Sequence, residues 1–64
     1  MELTPETKGE IIKAKITQWQ QQLYSLQLDA KVAKAVEDDK LLENIEMQVK
    51  RVLIAIETLE KELG

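Results

Sequence analysis

The sequence predicts an all-α protein: an antiparallel helical hairpin of two long helices that self-associates into a four-helix bundle. Three observations predict it. Pro5 is the only proline and Gly9 and Gly64 the only glycines, so nothing interrupts the backbone pattern from Glu10 to Leu63. Apolar residues recur at heptad steps along that stretch. The heptad frame breaks once, at the only run of four charges, Glu37-Asp38-Asp39-Lys40.

Helix one is expected over residues 5–36. Thr4-Pro5-Glu6 supplies a hydroxyl cap, a proline suited to the first helical position and an acid beside the positive end of the dipole. Thr7 with Glu10 makes a second capping box that would let the first turn fray around Gly9. The seam of this helix is Ile12, Ile16, Trp19, Leu23, Leu26, Ala30 and Ala33. Continued further, the same frame would bring Glu37, Lys40, Asn44 and Arg51 into a dry core, which their desolvation forbids.

The loop is expected at residues 37–39 and helix two over 40–63, with Asp38 or Asp39 as its cap. No glycine follows helix one to take a left-handed closing conformation. The seam of helix two is Leu42, Ile45, Val49, Val52, Ile56, Leu59 and Leu63. Mirrored about a point between Glu37 and Asp38, the seams pair as Ala33 with Leu42, Ala30 with Ile45, Leu26 with Val49 and Leu23 with Val52. Toward the free ends Trp19 meets Ile56, Ile16 meets Leu59 and Ile12 meets Leu63. Lys13 and Lys15 then come alongside Glu60 and Glu62, which disfavours other orientations. One continuous helix in a parallel coiled coil would need a frame jump at residues 34–41 and ranks below the hairpin.

Apolar residues exceed what two helices can cover. Tyr24, Leu28 and Val32 run at steps of four along a second stripe of helix one, with Val36 beyond them. Leu41, Met47, Leu53 and Ile54 add to this on helix two, and Ile11 stands outside the seam as well. At about 25 cal/mol per Å² of apolar surface, leaving such residues wet forfeits several kcal/mol, comparable to the whole stability of a small domain. Tyr24, Leu28, Val32, Val36, Leu41, Met47, Leu53 and Ile54 are therefore the expected interface, with a second copy in a homodimer or higher homo-oligomer, or alternatively with another protein.

Composition excludes most other classes. The 64 residues contain no cysteine and no histidine, which removes disulfides, thiolate chemistry, the commonest general base and the usual zinc ligands. Ser25 and the four threonines have no base to activate them. The pairs Glu43 with Glu46 and Glu57 with Glu60 read as solvated helix surface, because di-metal bundles also use histidine. The expectation is a non-enzymatic protein with no cofactor and no metal. The longest apolar run, Val52 to Ile56, falls far short of the roughly 20 residues that span a bilayer, and the acidic N-terminal stretch lacks the features of a signal peptide, so a cytoplasmic protein without a membrane partner is expected.

Trp19 reads as a packing anchor, Tyr24 as an aromatic with its hydroxyl free, and Gln18, Gln20, Gln21, Gln22 and Gln27 as a neutral polar belt. The formal charge of −3 is unevenly divided: residues 8–36 carry +3 and residues 37–64 carry −4. In length and two-helix architecture alone, with no matching sequence motif, the chain resembles the Rop family of RNA-binding helical hairpins, which dimerise as four-helix bundles. That resemblance implies nucleic-acid binding through helix one. The acidic total and the single arginine, Arg51, argue instead for a small protein-assembly or adaptor module.

Overall fold

Thr4 ends the extended N-terminal segment and accepts a hydrogen bond at Oγ1 from the Thr7 amide at 3.1 Å, so α1 begins at Pro5 and runs to Ala35. The computed structural model describes residues 2–64. The second capping box is not used: Thr7 lies inside α1, and the helix passes through Gly9 without a break. α2 spans Asp39–Leu63. Among the described residues there is no strand, and α1 and α2 pack on each other as a hairpin within 51 × 18 × 14 Å. The long dimension matches α1 laid straight, about 46 Å at 1.5 Å per residue.

The turn is one residue earlier than expected, and its hydrogen bonds explain why. Val36 is the last cap of α1, and Glu37 takes φ 56°, the left-handed conformation that glycine adopts most easily. The Glu37 amide donates to the Lys34 carbonyl at 3.2 Å and the Asp38 amide to the Ala33 carbonyl at 3.0 Å, which closes α1 in a Schellman motif. Asp38 then caps α2: its Oδ1 accepts from the Leu41 amide at 3.0 Å, and its carbonyl takes the first helical bond, from the Leu42 amide. Asp39 is thereby released to the first turn, where its charge faces the dipole. A side chain at φ 56° carries roughly 1 kcal/mol of strain. Glu37→Gly is expected to raise stability by about 0.5 kcal/mol, the relief being partly offset by the freer unfolded chain. Urea titration of the two proteins measures that difference.

Leu26, Ala33, Ile45, Val52 and Ile56 form the buried core, with Ile16, Trp19, Leu23, Ala30, Leu42 and Val49 packed half-buried against it. Burial fades toward the free ends. Ile12 and Leu59 are half-buried outside that cluster, and Leu63, expected in the core, is 43% exposed. Leu63 is the last helical residue, with no further turn of α2 to shelter it. The expected pairing of Lys13 and Lys15 with Glu60 and Glu62 does not form ion pairs either. The only salt bridge among the described residues is Lys61 to Glu57 at 3.5 Å, one turn apart on α2.

Candidate functional site

The two helices distribute their apolar residues differently. α2 gathers them on one side, whereas α1 carries them on opposite sides, so that α1 has an outward apolar stripe as well as a core-facing one. All eight residues of the expected interface are exposed: Tyr24, Leu28, Val32, Val36, Leu41, Met47, Leu53 and Ile54. They do not form one surface. At 100° per residue, Tyr24 and Leu28 fall on the edge of α1 turned away from α2, and Met47 and Ile54 on the edge of α2 turned away from α1. Leu53 lies to the side that carries Glu46 and Glu60.

Val32 and Leu41 are brought together. They wall a shallow groove near the turn, about 330 Å³ in volume, whose lining also includes the core residues Leu26 and Ile45 and the polar residues Asp29 and Gln48. Val36 stands one turn beyond Val32 on α1. Toward the middle of the hairpin the same side continues past Gln48 into a second depression lined by Trp19, Gln22, Arg51 and Val52. A third depression at Asn44, Met47, Gln48 and Arg51 adjoins it on α2. One long side of the hairpin is thus a furrow, mostly apolar with Asp29 at the turn and polar with Arg51 at mid-length.

The threonine hydroxyls are engaged locally. Thr17 Oγ1 donates to the Lys13 carbonyl at 3.1 Å, Thr58 Oγ1 donates to the Ile54 carbonyl at 2.8 Å, and Thr4 and Thr7 share a bond at 2.9 Å in the first cap. Glu43, Glu46, Glu57 and Glu60 are all exposed. Among the described residues no group of His, Cys, Asp and Glu converges as metal ligands, and no helix is long and apolar enough to cross a membrane. The site's features are shape, apolar surface and the sign of a few charges.

No protein-family model, curated protein or solved structure matches the chain. The furrow is accordingly read from its own residues. Two heptad rows flank the seams on this side: Lys8, Lys15, Gln22, Asp29 and Val36 on α1, and Leu41, Gln48, Ala55 and Glu62 on α2. Apart from Val36 and Leu41, these residues were outside the expected interface. Their seven-residue spacing is visible in the sequence, but most are polar, and a search for apolar periodicity passes over them. Leu3, exposed ahead of the first cap, was also not singled out.

Proposed function

We propose that this chain is a small non-enzymatic assembly module that binds a second copy through the furrowed side of its hairpin. The observation that carries the reading is the groove at the turn, where Val32 and Leu41 leave a path from solvent to the buried core at Leu26 and Ile45. Interface cores are rich in apolar surface, and four of the six residues lining the groove at the turn are apolar, Asp29 being its one charge. The outward edges at Tyr24 and Leu28 and at Met47 and Ile54 then stay free in the assembled form, which suits an adaptor that presents them to other proteins.

The nucleic-acid reading has less support. Lys13 and Lys31 lie five turns apart on one side of α1, while Lys8 and Lys15 belong to the row on the furrowed side, so the lysines form no continuous basic track for a phosphate backbone. Sedimentation equilibrium tests the proposal. The wild-type chain is expected to associate in the micromolar range, and Val32→Glu is expected to weaken that association by about two orders of magnitude, because a carboxylate in the contact must be desolvated. Ile54→Glu, on the outward edge of α2, is expected to change it little. A wild-type chain that stays monomeric throughout overturns the reading.

A further inference from the structure

We infer that the second copy lies on the furrowed side with its turn at the same end, so that α1 of each chain packs over α2 of the other. This rests on the self-association proposed above and specifies its geometry. A two-fold axis parallel to the helices produces that arrangement, and it keeps all neighbouring helices antiparallel. Residues at matching distances from the turn then meet. Val36 falls over the partner's Leu41, apolar on apolar. Asp29 falls over the partner's Gln48, within one turn of the partner's Arg51, and both charges line the furrow without an ion-pair partner in their own chain among the described residues. Gln22 meets the partner's Ala55, a small residue, and Lys15 meets the partner's Glu62.

The opposite arrangement, with the turns at opposite ends, stacks each helix on its own copy reversed. Fully overlapped, that brings Asp29 to the partner's Lys15, but it places Val36 over the partner's Lys8 and Leu41 over the partner's Glu62, apolar against charge at both ends. Only the turns-together geometry sets apolar on apolar at the turn and opposite charges at the far end, with Asp29 within reach of the partner's Arg51 between them. The same geometry gives Arg51, the single arginine, a counter-charge that its own chain does not supply, the partner's Asp29.

Charge exchange between chains tests this. Asp29→Arg and Arg51→Asp each convert two cross-chain attractions into repulsions, and each variant alone is expected to dimerise roughly tenfold more weakly. An equimolar mixture of the two variants is expected to recover the wild-type affinity. In the mixed dimer one chain carries arginine at both positions and the other aspartate at both, so each cross-chain pair again joins opposite charges. Both positions are exposed, so far-UV circular dichroism of the variants should match the wild type. As a second readout, a spin label at Lys40→Cys reports the distance between the two turns. Turns together give less than about 30 Å, a few helix diameters, whereas turns apart approach the 51 Å length of the hairpin. Recovery in the mixture with a short distance supports the geometry. A dimer with a long distance, or one that the mixture fails to rescue, overturns the geometry and leaves self-association standing. A wild-type monomer overturns both.

Discussion

Val52→Asp is expected to abolish the helical signal in far-UV circular dichroism at room temperature, whereas Leu53→Asp, the next residue, leaves it in place. Val52 is 1% exposed and is the largest side chain so fully enclosed, while Leu53 is 49% exposed on the outside of the same helix. An aspartate at Val52 has no hydrogen-bond donor near it in an all-apolar core cluster, so its burial costs several kcal/mol. A chain of this size has roughly 3–10 kcal/mol of stability in total, and the loss is of the same size. A folded Val52→Asp protein would show that the hairpin core is assembled differently.

Ala33→Leu is expected to cost about 1–3 kcal/mol in urea or thermal unfolding, an overpacking effect. Ala33 is 1% exposed and sits in the layer nearest the turn, across the seam from Leu42, with Ala30 opposite the buried Ile45 one layer further. Small residues on α1 there make room for large ones on α2, as interdigitated cores require. Ala35→Leu, on the exposed surface two residues along, is the control and should be close to neutral. Equal effects at the two positions would contradict the tight layer.

The hairpin itself was legible from the sequence because its two seams are strict heptads and the single frame break falls on four charged residues. The core followed from the same rows: thirteen of the fourteen seam positions are at least half-buried, and Leu63 departs only because a helix end has no neighbour beyond it. The turn was legible to within a residue. Its closing motif was not, since a Schellman motif is expected with glycine, and Glu37 adopts the left-handed conformation without it. Exposure of the surplus apolar residues could be foreseen by counting them. Their division between two outward edges and one furrow depends on how the helices face each other, which appears only once the hairpin is built. The furrow's polar rows were missed for a related reason, because Gln48 and Asp29 look like ordinary solvated positions until a groove opens between them.

The shortness of the turn also favours an order of events for folding. Asp38 bonds to both helices, and Ala33 and Ile45, just outside it, are separated by few residues, so the loop that must close before they meet is short and its entropic cost small. Each further layer joins positions more distant along the chain but already tethered by the layer before it. Loop closure therefore favours a hairpin that zips from Glu37 outward, and the unbroken turn of helix one at Gly9, far from that nucleus, belongs with the last turns to form.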